Sequence, residues 1–217
     1  MVEIAKISEP NAGWGICGVT SSLGALHRYS EKHSSNGNRK LNASKDSDIY
    51  TRVLAELKTF LVILKGQSNV AILNQIAEFT KSFDGFSTFT IDGYITKINN
   101  MGSHGDPDSW WDWLWWSPPD PKDSSYGIAL SPDAVVEYLK LRCGLENSYH
   151  VIWDKPCDNV LVGLCKKGGA SKPYSGLCHW VYMATPGEVY NWGRKITWEE
   201  LLKQSDWEAK YEVKCMK

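Results

Sequence analysis

The chain has 217 residues, a formal net charge of −1, 42% hydrophobic and 23% charged residues, and a pI near 6.5. That length suits one large domain better than two and buries a sizeable core without disulfides or metals. The balanced charge gives no basic surplus for nucleic acid and no acidic tail. The N-terminus, with Glu3 and Glu9 and no apolar run, is no signal peptide. The expectation is a protein made in the cytoplasm without a cleaved leader, any export using a dedicated machine. The longest apolar run, Phe60-Leu61-Val62-Ile63-Leu64, falls far short of the roughly 20 residues of a membrane span.

Residues 1–16 read as an extended lead-in ending in Gly13-Trp14-Gly15-Ile16. Val19, Leu23 and Leu26 then recur at helical spacing, which predicts a helix over 17–32. A polar loop at 34–38 ends it. Ile49, Val53, Leu54, Leu57, Phe60, Leu61 and Leu64 make the apolar face of a second helix over 47–65, stopped by Gly66. Asn69 is placed to cap a third through residue 83. The Thr-rich stretch 86–98 reads as a strand pair or an irregular segment. Residues 99–130 form an irregular Trp-rich insertion in this single domain. Ser131 is the expected cap, and Pro132 the first residue, of a helix ending at Cys143-Gly144. Alternating or apolar runs predict strands over 149–153, 160–166, 178–184 and 189–192. A turn at Thr185-Pro186-Gly187 joins the last two. A short helix over 197–203 precedes a final strand over 211–216. Helices first and an antiparallel sheet afterwards make the fold class α+β.

Glycines flank Cys17 in Gly15-Ile16-Cys17-Gly18, directly before the first helix. The positive end of a helix dipole and its free N–H groups favour a thiolate there. Small neighbours let a carbonyl approach the sulfur. A buried structural cysteine fits the same segment equally well. The other five cysteines are 143, 157, 165, 178 and 215, irregularly spaced, so no disulfide framework is required. Cys157, Cys165, Cys178 and His179 lack the paired Cys-x2-Cys spacing of a zinc site, and no metal or organic cofactor is expected.

A thiol nucleophile needs a base from elsewhere in the chain. Of the histidines at 27, 33, 104, 150 and 179, His179 opens a predicted strand. Asn191 follows 12 residues later, across a hairpin, and a side-chain carbonyl beside the imidazole would fix its tautomer. A one-residue slip would turn Asn191 to the other face, so Asp154 and Asp158 stay open as orienting residues.

Cys17 at a helix start, His179 on a late strand and Asn191-Trp192-Gly193 on the next resemble the papain-like cysteine peptidase superfamily. The resemblance covers about 30 residues in three patches. It implies a papain-like α+β fold with Cys17, His179 and Asn191 as the catalytic set. Asn11 stands where the family carries its oxyanion-hole Gln, with the Cys17 N–H as second donor. Trp14, Gly15, Trp180 and Trp192 would line the substrate. Gly18 replaces the family's aromatic after the cysteine, and the His-to-Asn spacing is short. These departures are more similar to compact bacterial members: secreted effectors or toxins that cleave or deamidate proteins, and cell-wall hydrolases. The expected function is therefore amide-bond hydrolysis on a protein or peptide-like substrate, by protease or deamidase chemistry. A secreted virulence role and a neutralising or chaperone partner are implied with it. A peptidoglycan amidase or endopeptidase is the alternative enzyme.

Trp110-Trp111-Asp112-Trp113-Leu114-Trp115-Trp116 places five of the chain's 11 tryptophans in seven residues. Such a run either folds back on the core or presents a partner-binding platform. The latter is the basis of a non-catalytic alternative, a protein-binding module in which Cys17 is structural.

Overall fold

A computed structural model describes residues 15–33, 46–101 and 123–217. Asn11, Trp14 and the Trp110–Trp116 run lie outside the described residues. The architecture is α+β, with the helices mostly N-terminal and one six-stranded antiparallel sheet at the C-terminal end.

Helix α1, Cys17–His33, buries Val19, Leu23 and Leu26 at three- and four-residue intervals. Each such side chain contributes about 1.5–3 kcal/mol relative to an exposed one. Helix α2, Asp46–Gly66, buries Val53, Leu54, Leu57, Phe60, Leu61 and Leu64. Helix α3, Val70–Lys81, starts at the expected cap: Asn69 Oδ1 accepts from Ile72 N at 3.3 Å. Helix α4 spans Ile91–Met101, where a strand pair or irregular segment was expected. Tyr94 and Ile98, four apart, are both buried, Thr90 Oγ1 accepts from Gly93 N, and Tyr94 Oη donates to the Tyr126 carbonyl at 2.7 Å. These helix-spaced contacts outweigh the strand preference of threonine and isoleucine. Helix α5, Pro132–Cys143, has Ser131 Oγ accepting from Ala134 N at 3.2 Å, and Gly144 closes it with φ +65°. Arg142 of α5 grips Glu56 of α2 through bonds of 2.8–2.9 Å.

The strands are β1 Tyr149–Ile152, β2 Val160–Lys166, β3 Leu177–Thr185, β4 Glu188–Asn191, β5 Arg194–Ile196 and β6 Trp207–Lys214. Helix α6, Trp198–Gln204, joins β5 to β6 and opens with a capping box between Thr197 and Glu200. The sheet order is β1-β6-β2-β3-β4-β5. Strand β5 was not expected, and β6 starts four residues earlier than its expected position. Trp180, Tyr182 and Ala184 of β3 share one face with the main core, against which α1 packs. Val181 and Met183 join a smaller core on the other face. Among the described residues no helix is long and apolar enough to cross a membrane.

Candidate active site

Cys17 is the first residue of α1, and the chain reaches it through Gly15 at φ +64°. Gly18 allows the helix start to lie against the 127–130 segment: a Cβ there would stand 3.0 Å from Leu130 Cβ. That close approach leaves room for no side chain directly after the cysteine. Ser21 Oγ donates to the Trp180 carbonyl at 3.0 Å and ties the first turn of α1 to β3.

Two bulges shape the sheet beside it. On β3, Leu164 of β2 pairs with His179 but Cys165 pairs with Leu177, so Cys178 is an extra residue. On β6, Gly163 pairs with Tyr211 but Leu164 pairs with Ala209, so Lys210 is extra. A bulge turns the following side chains to the opposite face. The first leaves His179 on the face of Val181 and Met183. The second moves Trp207 to that face while Tyr211 and Val213 stay with the main core.

The β3–β4 register, Met183 opposite Val189, puts Val189 and Asn191 on the same face as His179. His179 Nε2 lies 2.7 Å from Asn191 Oδ1, with both residues at least 95% buried. Asn191 rather than Asp154 or Asp158 thus holds the imidazole. An amide oxygen only accepts, so Nε2 carries the proton and Nδ1 has the free lone pair.

The Asn-Trp-Gly run is a tight turn from β4 to β5, Asn191 pairing with Arg194. Trp192 at φ +46° and Gly193 at φ +74° supply the two positive φ values such a two-residue hairpin needs. Trp192 is held in a region tryptophan seldom adopts. Its ring sits 5.2 Å from the imidazole, and the Trp207 ring sits 5.2 Å away as well. The histidine is thereby walled off from water by two indoles. Trp207 was not singled out from the sequence, although the alternation of Trp207, Ala209, Tyr211 and Val213 marks a strand that starts there.

Cys17, Cys178, His179, Trp180 and Trp192 line one cavity of about 340 Å³, together with Gly15. Cys17 packs against the main core at the start of α1, whereas His179 shares the β3 face of Val181 and Met183. Of the expected site residues, Cys17, His179, Asn191, Gly15, Trp180 and Trp192 are brought together. Trp180 is buried and fixed by its Nε1–H, which donates to the Leu130 carbonyl at 3.0 Å.

Burial pushes the Cys17 thiol up to about 11, opposed by N–H groups of Trp180, Gly18 and Cys17 itself. The helix-start amides therefore act in the expected direction, but desolvation outweighs them. Burial also pushes His179 down to about 4, against the bond from Asn191. At neutral pH the two groups are a neutral thiol and a neutral imidazole. All six cysteines are free thiols. Among the described residues no group of three or more His, Cys, Asp or Glu side chains is arranged to hold a metal ion.

Comparison of the chain with protein-family models, with curated proteins and with solved structures finds no match.

Proposed function

We propose that the chain is a cysteine-nucleophile hydrolase of amide bonds, with Cys17 as nucleophile, His179 as base and Asn191 as the residue that orients the base. The observation that carries this reading is the Asn191–His179 bond. It holds Nε2 protonated and leaves Nδ1 as the proton acceptor in a histidine that lines the same cavity as Cys17.

In this reaction Nδ1 takes the thiol proton as the sulfur attacks the carbonyl carbon. The tetrahedral oxyanion forms against N–H groups at the start of α1. The imidazolium then gives its proton to the departing amine, and the C–N bond breaks. Water, deprotonated by the same nitrogen, attacks the thioester and frees the acid and the thiol. The amine is a peptide in a protease and ammonia in a glutamine deamidase. Both share the acyl-enzyme, so the triad supports the reaction class and a protein or peptide substrate.

Iodoacetamide labelling of the intact protein at pH 7.5, mapped by mass spectrometry, tests the pairing. In His179→Ala, labelling of Cys17 should fall at least about tenfold while that of Cys178 is unchanged, since base assistance is typically worth about 10²–10⁴ in rate. Equal labelling of Cys17 in both proteins would remove His179 from the reading.

A further inference from the structure

A second cluster of reactive side chains lies outside the cavity, where the loop from β1 to β2 crosses β6. Glu212 and Lys214, two apart on β6, share a face, and Cys157 of the loop touches both. Cys157 Sγ donates to Glu212 Oε1 at 2.9 Å, Lys214 Nζ donates to Cys157 Sγ at 3.1 Å, and Lys214 also pairs with Glu212. Glu212 is only 3% exposed, so these partners offset the cost of burying its charge. The loop is pinned to β6 on both sides of the cysteine. Trp153 N donates to the Lys210 carbonyl at 3.0 Å, and Asn159 Nδ2 donates to the Cys215 carbonyl at 3.1 Å. Sulfur and amine are thus held in contact, and joining them needs side-chain rotation alone. Cys165, Cys178 and Cys215 instead donate to the main-chain carbonyls of Tyr174, Leu164 and Val213, which cannot capture an oxidised sulfur.

Cys157 and Lys214 are both partly exposed, so a small oxidant reaches the pair. We infer that the two residues form a redox-switched clasp: a hydroperoxide oxidises Cys157 to its sulfenic acid, and Lys214 captures that sulfur in a reversible sulfur–nitrogen bridge. Burial, then the bond to Glu212, push the Cys157 thiol up against the pull of Lys214, so Cys157 rests as a thiol and gives up its proton only as it reacts. Glu212 takes that proton while sulfur takes the terminal oxygen of the hydroperoxide. The O–O bond breaks, and the alkoxide leaves as an alcohol with a proton from Lys214. The freed amine then attacks the sulfenic sulfur. The S–O bond breaks, the hydroxide leaves as water with the proton held on Glu212, and one N–H proton passes to solvent. Sulfur is oxidised by two electrons and the peroxide is reduced by two. The clasp uses none of the residues of the candidate active site.

The test treats the full chain with millimolar tert-butyl hydroperoxide, blocks free thiols with iodoacetamide, and maps the digest by mass spectrometry. The parent should give Cys157 and Lys214 peptides joined with the loss of two hydrogens, and dithiothreitol should separate them. Cys215 adjoins Lys214, and a Cys157–Cys215 disulfide would weigh the same. The link should therefore persist in Cys215→Ser and vanish in Lys214→Arg, which keeps a cation beside Glu212. Fragment ions of the parent peptide, which place the bond on Lys214 or on Cys215, decide the same point without a variant. In Lys214→Arg, dimedone should trap the sulfenic acid on Cys157. Oxidation should raise the parent's urea midpoint by about 1–2 M, because the bridge closes a long loop of chain, and the rise should be absent from Lys214→Arg. A bond on Cys215 in place of Lys214 would overturn the inference, as would a parent whose Cys157 gains oxygen or stays a thiol with no link formed.

Discussion

Folding the chain traps His179 as a neutral imidazole, and that predicts a specific acid sensitivity. The group moves from an ordinary 6.5 to about 4 on burial between Trp192 and Trp207. Below pH 6.5 the unfolded chain binds a proton that the folded chain refuses. The unfolded state then holds more protons, so stability falls as pH drops. The loss begins near 6.5 and is complete near 4, where the folded state protonates too. A gap of about 2.5 pKa units at 1.36 kcal/mol each makes the loss about 3 kcal/mol. Urea unfolding of the parent and of His179→Gln, at steps from pH 7.5 to 4, isolates it from the other titrating groups. With a slope of about 2 kcal/mol/M, the parent midpoint should fall by roughly 1.5 M more than that of the variant. The constant offset between the two proteins carries no weight; only its change with pH does. Two curves parallel across the whole range would refute the argument that His179 is buried neutral.

Three further outcomes follow from contacts elsewhere in the site and core. Asn191→Ala leaves a buried Nε2–H without its acceptor, and should cost about 1–3 kcal/mol in urea unfolding and slow Cys17 labelling at pH 7.5. Gly18→Ala drives a methyl to within 3.0 Å of Leu130 Cβ, and should cost about 1–3 kcal/mol by the same assay. Arg142→Ala strands Glu56 at a contact where the two side chains are only 17% and 12% exposed. Partial solvent access keeps this below the cost of a fully buried pair, so about 1–3 kcal/mol is expected, and a double-mutant cycle with Glu56→Gln should recover most of it as coupling.

What was legible in the sequence divides along physical lines. Helices α1, α2, α3 and α5 show in the sequence because period and caps agree: Asn69, Ser131, Pro132 and Gly144 all act as their types suggest. The hairpin that brings Asn191 to His179 is legible from the Thr185-Pro186-Gly187 turn and 12-residue spacing. Helix α4 was missed because threonine and β-branched residues carry strand preference, whereas the deciding contacts, Tyr94 with Tyr126 among them, are 32 residues apart. Strand β6 was started late although its alternation runs unbroken from Trp207; what alternation could not show is the bulge at Lys210, which puts Trp207 and Ala209 on one face and Tyr211 and Val213 on the other. The same bulge delivers Trp207 to the histidine. The cavity wall from α3 and residues 127–130 could not be read locally, since its parts, Phe79 to Leu130, lie about 60–115 residues from Cys17 in sequence and meet only through packing.

One physical cause underlies both halves of the candidate site. Removal from water raises the thiol and lowers the imidazole, so each disfavours its own charged form. A thiol held near 11 beside an imidazole held near 4 keeps its proton in the ligand-free cavity. Under the proposed mechanism, proton transfer then belongs to the attack itself: charge leaves sulfur for the carbonyl oxygen as Nδ1 receives the proton. The N–H groups of Cys17, Gly18 and Trp180 that face the sulfur favour developing negative charge, but less than burial opposes it at rest. A substrate group filling the cavity that Cys17 and His179 line would exclude further water and strengthen those same N–H contacts. Amide hydrolysis thereby becomes conditional on a substrate that fits. The bulge at Cys178, the strained turn at Trp192 and the second bulge at Lys210 all converge on that one imidazole. Three local departures from regular sheet geometry around a single side chain are hard to account for by core packing, which regular strands would serve better.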